Sequence, residues 1–349
     1  MQSHIIFGAG LIGGFLGGVL TSLNINTTLV CRPSVRQKLS NGIKLTDYLG
    51  NEKKVKTLHF LTEKDGLKEP NKEHFCDFLW ITVKCTGIDQ ASKDISPLVG
   101  PNTIIFCCQN GLGSEKVIQR QYPNHTVLRV MVPFNVSEPS PGHLHRGSEG
   151  TLYIETTTQL NELICPLVLR LTTPIMPVAQ TTKMQELLWA KLQLNLGNSI
   201  NALADIPVKK MLQQREYRLV IAALMKELLS VTKALNIKLP KLTAVPAQLI
   251  PTVLGLPNFL FTIVANKMLA IDPTVRTSMW WDLSQGKTTE IEYLNGAIVN
   301  IAEELKINCF ANQKIISLIK QIEQTNEQKT PRKVISGKEL LHEIKKGNH

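Results

Sequence analysis

Gly8, Gly10 and Gly13 follow the short apolar run at residues 4–7 in the order G-x-G-x-x-G, opening an apolar stretch that continues to about Leu23. Where a strand turns into a helix, each of these glycines has a physical use. The first permits a tight turn, the second lets backbone approach a pyrophosphate, and the third lets the helix pack closely on the strand. The first turn of the helix then offers N–H groups and the positive end of its dipole to an anion. Gly8, Ala9, Gly10, Leu11, Ile12 and Gly13 are therefore the expected pyrophosphate contacts of a dinucleotide. A free ribose 2′-hydroxyl is normally held by Asp or Glu about 20 residues further on. Here no acidic residue precedes Asp47, and Arg32, Arg36 and Lys38 stand in its place. A guanidinium at the end of the second strand suits a 2′-phosphate, so the expected cofactor is NADP(H).

Other positions also permit chemistry. Lys84 in VKCTG and Asn110 in QNGLG fall at, or just past, the ends of expected strands over 77–84 and 102–109. Open α/β sheets bind ligands at those carboxyl ends; a surface lysine and a helix-capping turn are the alternatives. In the expected helix over 184–205, Lys191, Asn195 and Asn198 recur at i, i+4 and i+7 and share one face, flanked by Leu192, Leu194 and Leu196. A lysine withdrawn from water can act as a general acid near neutrality; a lysine snorkelling past its apolar neighbours is the alternative. His143 and His145 form an H-x-H pair with no third ligand at a recognisable spacing, so a structural hairpin is expected rather than a metal site. Trp189, Trp280 and Trp281 are expected in the core.

These residues need a scaffold, and the pattern of the chain describes one. Strand-like runs at 4–7, 26–31, 77–84, 102–109 and 126–133 alternate with helical stretches such as 89–99 and 114–122. That alternation implies βαβ units and a parallel sheet covered on both faces. Residues 142–147 and 150–156 read as a hairpin added to that sheet. After Thr182 the pattern is helical, and Ile291, Leu294, Ile298, Ile301 and Leu305 fall on one face of an expected helix over 289–307. The expected architecture is a Rossmann-like, doubly wound parallel α/β domain over 1–182, an all-helical domain over 183–324, and a basic tail over 325–349, expected to be flexible, with a docked amphipathic turn as the alternative.

Composition narrows the function classes. A chain of 349 residues exceeds what one core usually serves. The formal charge of +11 is scattered, and only 5% of residues are aromatic. That combination favours small anionic ligands over nucleic acid. Seven cysteines without a C-x-x-C pair fit a reducing cytoplasm. The glycine-rich opening stretch has no Lys or Arg before it and stops short of the roughly 20 residues a bilayer needs, so no membrane segment is expected.

In order, Gly8-Ala9-Gly10-x-x-Gly13, VKCTG, QNGLG, WAKLQLN and SMWWDLSQGKTTEIEYLNG resemble the 2-dehydropantoate 2-reductase (ketopantoate reductase) family, from residue 4 to about residue 320. The resemblance implies NADPH-dependent reduction of 2-dehydropantoate to (R)-pantoate in pantothenate (vitamin B5) biosynthesis, by a cytoplasmic monomer or homodimer. It implies that Lys191 donates a proton to the substrate carbonyl oxygen and that Asn110 lies at the nicotinamide and substrate. Lys84 would lie at the NADP phosphates, with Arg32 at the 2′-phosphate. Asn195 would bind substrate hydroxyls, and Ser278, with Thr277 before it, would hold the carboxylate. Glu290 would orient groups at the cofactor and the catalytic lysine. The run after Asn195 is two residues longer than the family's, so either Asn198 or Asn201 is the second substrate asparagine. A further family asparagine falls in PVKKM, which has none. A paralogue reducing another branched 2-oxo acid, or a non-catalytic NADP(H)-binding regulatory protein, are the alternatives. Lys191 and Glu290 argue against the latter, since pure binding needs no acid.

Overall fold

A computed structural model describes residues 2–62, 74–265, 273–327 and 333–346. The chain divides into two compact units, Met1–Met184 and Gln185–His349.

The first unit is built on two sheets. Its strands are β1 (Ser3–Phe7), β2 (Asn26–Val30), β3 (Ile43–Asp47), β4 (Glu52–Val55), β5 (His59–Leu61), β6 (Cys76–Ile81), β7 (Val99–Cys107), β8 (Val127–Met131), β9 (Val136–Ser140), β10 (His143–Arg146), β11 (Leu152–Glu155) and β12 (Val178–Thr181). The large sheet has eight strands in the order β12-β11-β8-β7-β6-β1-β2-β5. From β8 to β5 every pairing is parallel, and β11 joins β8 antiparallel. Its interior positions are continuous apolar runs such as Phe78–Ile81, all buried, as a sheet covered on both faces requires. A second sheet runs β4-β3-β10-β9. The expected hairpin of 142–147 and 150–156 is therefore not formed. β10 pairs parallel with β3, whereas β11 extends the large sheet. His143 Nε2 and His145 Nδ1 both hydrogen-bond the Thr46 hydroxyl, at 2.7 and 2.8 Å, which ties β10 to β3.

Helix α1 (Leu11–Ser22) lies between the sheets, and its glycines show why. A β-carbon at Gly17 would lie 2.3 Å from Leu29 Cδ2 of the large sheet, and one at Gly14 would lie 2.9 Å from Leu144 Cδ1 of the small one. Gly18 is tight against Leu45 and Ile43 of the small sheet. The i, i+4 pairs Gly13/Gly17 and Gly14/Gly18 let one helix approach both sheets at backbone distance. The unit also contains α2 (Pro33–Leu39), α3 (Ile88–Asp94), α4 (Ser114–Gln121) and α5 (Asn161–Leu171).

The second unit is helical among its described residues: α6 (Met184–Asn195), α7 (Gly197–Ala204), α8 (Val208–Gln213), α9 (Arg215–Ala234), α10 (Ile250–Gly255), α11 (Asn258–Val264), α12 (Ser278–Ser284), α13 (Asn295–Glu304), α14 (Phe310–Glu327) and α15 (Gly337–Lys345). The stretch 184–205 is thus two helices, broken at Leu196. The stretch 289–307 is a 3-10 turn, Ile291–Tyr293, and then α13. Helix α9 buries Tyr217, Val220, Ile221, Leu224, Leu228 and Val231 along one stripe. Buried Arg218 beside that stripe donates to the carbonyls of Leu212, Leu254 and Leu256 and stacks on Phe261. Trp189 is buried, as expected of a core residue, but Trp281 is 53% exposed.

Over its described residues the tail is docked, the alternative to flexibility. Ser336 caps α15 by accepting from the Glu339 amide, and Leu340 and Ile344 are buried. Tyr217 of α9 donates to the Ile335 carbonyl at 3.0 Å, and the Ile335 amide donates to Leu203 of α7 at 3.1 Å. An apolar stripe dense enough to bury, with a capping serine, outweighs the segment's positive charge.

One buried titrating group in the large sheet yields a prediction. His4 of β1 accepts from Trp80 Nε1 at 3.1 Å, and burial, with Arg170 nearby, lowers its pKa to about 4. The unfolded chain therefore binds a proton near pH 6.5 that the folded chain refuses until about pH 4. Stability contributed by neutral His4 is full above pH 6.5 and is lost as pH falls through that window, by up to about 3 kcal/mol. Urea unfolding at stepped pH should show this loss in the wild type and a shallower slope in His4→Gln.

Candidate active site

The turn from β1 into α1 assigns each fingerprint glycine a separate job. Gly8 has φ +97°, and a β-carbon there would lie 2.6 Å from Val83 Cγ1. A β-carbon at Gly13 would meet Thr82 Oγ1 at 2.3 Å and the Gly8 carbonyl at 2.5 Å. At Gly10 the nearest atom would be 3.9 Å away, so no protein contact requires glycine there. No side chain caps α1, leaving its first-turn amides, including those of Leu11 and Ile12, without intrahelical acceptors.

Around this turn stand the other expected residues of the first unit. Arg32 is exposed immediately past β2, at the N-cap of α2. Asp47, the first acid in the chain, is buried and spent on the β3–β4 turn, accepting from the Leu49 and Asn51 amides and from Asn51 Nδ2. Strand β6 ends at Ile81, so exposed Lys84 lies in the loop beyond it, opening a 3-10 turn, rather than at a strand end. Asn110 is half-buried in the loop after β7, and its carbonyl accepts from the Cys85 thiol at 2.8 Å. Gly111, at φ +78°, lets the chain turn away directly after it. Gly8, Gly10, Gly13, Arg32, Lys84 and Asn110 thus gather at the carboxyl ends of β1, β2, β6 and β7.

Two residues that sequence reasoning missed hold these loops. Thr82 Oγ1 reaches the carbonyls of Phe7 and Gly8 at 3.1 and 2.9 Å. Buried Gln109 donates through Nε2 to the carbonyls of Ile81 and Val83 at 2.8 and 3.1 Å. Thr82 therefore ties the loop after β6 to the glycine turn, and Gln109 ties it to the loop after β7. The one sequence signal was their position, polar residues directly after apolar strands.

In the second unit, Lys191, Leu194, Asn195 and Asn198 form a half-buried stripe, whereas Leu192, Gln193 and Leu196 are buried. The break at Leu196 leaves the stripe continuous across α6 and α7. Lys191 is half-buried, less withdrawn from water than expected. Asn201 is fully buried, donating from Nδ2 to the Ile206 carbonyl at 2.7 Å and accepting from the Thr277 amide at 3.0 Å. It belongs to the packing, not to the stripe. Thr277 caps α12, its hydroxyl accepting from the Trp280 amide, while Ser278 is exposed. Glu290 is buried at the start of the 3-10 turn Ile291–Tyr293.

A family model described as Ketopantoate reductase PanE/ApbA matches residues 4–159, and its C-terminal counterpart matches residues 183–323. The chain belongs to the ketopantoate reductase family. That family is one of oxidoreductases, and its fold here is α/β Rossmann-like followed by helices. Similar proteins include the 2-dehydropantoate 2-reductase of Archaeoglobus fulgidus, 22% identical over 93% of this chain and 98% of that protein. The Aquifex aeolicus 2-dehydropantoate 2-reductase is 24% identical over 93% and 98%. Among solved structures, a PanE/ApbA family ketopantoate reductase from Ralstonia eutropha JMP134 has a TM-score of 0.75 at 23% identity, over 93% of this chain and 99% of that one. D-mandelate dehydrogenase in a ternary structure with NADH and anilino(oxo)acetate has the same TM-score at 18% identity, over 93% and 99%.

The glycine geometry of this ketopantoate reductase-family chain separates packed positions from an open one. Gly13→Ala should lower stability by about 1–3 kcal/mol, since Thr82 and the Gly8 carbonyl leave no space. Gly10→Ala should change it by less than about 0.5 kcal/mol. Thermal unfolding of the two variants checks both.

Proposed function

We propose that this protein is an NADPH-dependent reductase of 2-dehydropantoate, giving (R)-pantoate in pantothenate biosynthesis. One observation carries the reading. Outside its packed core, the helical unit presents an ammonium, amides and a hydroxyl on α6, α7 and the start of α12, the donor set that the oxygens of a branched 2-oxo acid require. Seven cysteines that form no disulfide among the described residues suit a reducing, cytoplasmic setting, and no described helix is long and apolar enough to cross a membrane.

The first unit suits a phosphorylated dinucleotide. The open position at Gly10 and the uncapped N-terminus of α1 accept a pyrophosphate. Arg32 reads the 2′-phosphate, and Asp47 is too committed to its turn to hold a 2′-hydroxyl instead. Lys84 adds charge at the phosphates, and Asn110 orients the nicotinamide and the substrate beside it. The bound dihydronicotinamide supplies a hydride to C2 of the 2-oxo acid.

The remaining work falls to the chain's own side chains. Negative charge grows on the carbonyl oxygen as C2 is reduced. The Lys191 ammonium stabilises that charge and donates the proton that completes the hydroxyl. Asn195 and Asn198, on the same stripe, bind the substrate hydroxyl; Asn201 is left to hold Thr277. Ser278 donates to the carboxylate, with Thr277 fixing its backbone. Glu290 orients Lys191 and the cofactor. A second reading, reduction of another branched 2-oxo acid, is favoured by α8, where the expected substrate asparagine has no counterpart between Pro207 and Met211.

Lys191→Ala should leave NADPH affinity within about threefold and lower kcat at least about a hundredfold, measured by fluorescence titration and by loss of dihydronicotinamide absorbance. Arg32→Ala should reduce the preference for NADPH over NADH by at least about tenfold in kcat/KM, through loss of one charge-assisted contact.

A further inference from the structure

The segment carrying Thr277 and Ser278 is tied to the end of α7 more heavily than a helix cap requires. Val275 accepts from the Val208 amide at 2.9 Å. Arg276 Nη1 pairs with Asp205 Oδ1 at 3.2 Å, and its guanidinium stacks 4.1 Å from the Trp280 ring. Thr277 binds Asn201 through both its amide and its hydroxyl. Trp280 then returns through its indole Nε1–H to the same Asp205 oxygen. Asp205 takes φ +51° just past the last turn of α7. This conformation is uncommon for side chains other than glycine, and Asp and Asn tolerate it best. One carboxylate therefore grips residues 276 and 280, on either side of exposed Ser278.

We propose that Asp205 is a positioning residue for the Ser278 hydroxyl. Acting through the Trp280 indole, it fixes the backbone that aims Ser278 at the carboxylate of the 2-oxo acid. The inference rests on the substrate reading of Ser278 given above. Because Asp205 acts on the binding of the carboxylate and not on proton or hydride transfer, its loss appears in KM and leaves kcat nearly intact. The indole bond carries the effect, because the Arg276 pair is partly exposed and ion pairs of that kind contribute little.

Three variants of the full-length protein separate the terms. Asp205→Asn keeps an acceptor for the indole and tolerates the backbone angle. Asp205→Gly keeps the angle without strain and removes the acceptor. Trp280→Phe keeps a ring under Arg276 and removes the donor. KM for the 2-oxo acid should rise about tenfold in Asp205→Gly and Trp280→Phe, with kcat and NADPH affinity within about threefold, and stay within about threefold in Asp205→Asn. Amide exchange over residues 277–284 should quicken at least about tenfold in the first two variants and not in the third. Exchange needs no turnover, so a wild type inactive on every 2-oxo acid would sink the substrate reading while exchange still judges the latch. Unchanged KM and exchange in Asp205→Gly, or an Asp205→Asn variant as impaired as Asp205→Gly, would overturn the proposal.

Discussion

Helix α1 must approach two sheets at once and still begin at a turn open to a ligand, and the rest of the first unit is arranged around that constraint. Gly13 and Gly17 admit the large sheet, Gly14 and Gly18 admit the small one, and Gly8 makes the turn. With those positions fixed by packing, Gly10 is the glycine of the opening stretch whose β-carbon would touch nothing closely. The site's backbone is therefore held by the core itself. Thr82 and Gln109 carry that rigidity outward to the loops of Lys84 and Asn110.

The helical unit meets a different constraint, a half-buried polar stripe on helices whose other faces are buried. Gln193 turns inward and donates to the Ala247 carbonyl, so this polar residue between Leu192 and Leu194 is satisfied within the packing. Asn201 likewise turns inward and holds Thr277. Deeper still, burial pushes the Glu227 carboxyl up, against hydrogen bonds from the Ala311 and Asn312 amides and the Asn312 side chain, which make it the cap of α14. Polar groups inside this unit are spent on helix ends, which leaves Lys191, Asn195 and Asn198 as the polar members of the stripe.

The parallel sheet was legible because continuous apolar runs alternating with short helices have few other solutions. The small sheet was not legible. His143 pairs with Lys44 from far along the chain, and a short alternating strand carries no sign of its partner. Gly8, Gly10 and Gly13 were expected at a phosphate turn, yet Gly13, Gly14, Gly17 and Gly18 answer to packing on two sides, which needs both sheets in view. Residue spacing placed Lys191, Asn195 and Asn198 on one face, but that Asn201 is buried and Asn198 only half-buried needed the packing around them. The end of β6 was misplaced by three residues because Thr82 and Val83 fit a strand as well as a loop. The docked tail could not be inferred from its charge, because its apolar stripe matters only once α9 supplies a surface.

The proposed NADPH-dependent reduction of one branched 2-oxo acid asks a dinucleotide turn followed by Arg32 to bind NADPH and a lysine–asparagine stripe to bind the substrate. It is tested most directly by kcat/KM of the purified protein for 2-dehydropantoate against a panel of other 2-oxo acids, each with NADPH and with NADH. 2-Dehydropantoate with NADPH should exceed every other pair by at least about tenfold. Tight NADPH binding without turnover of any 2-oxo acid, or a preference for NADH, would contradict it.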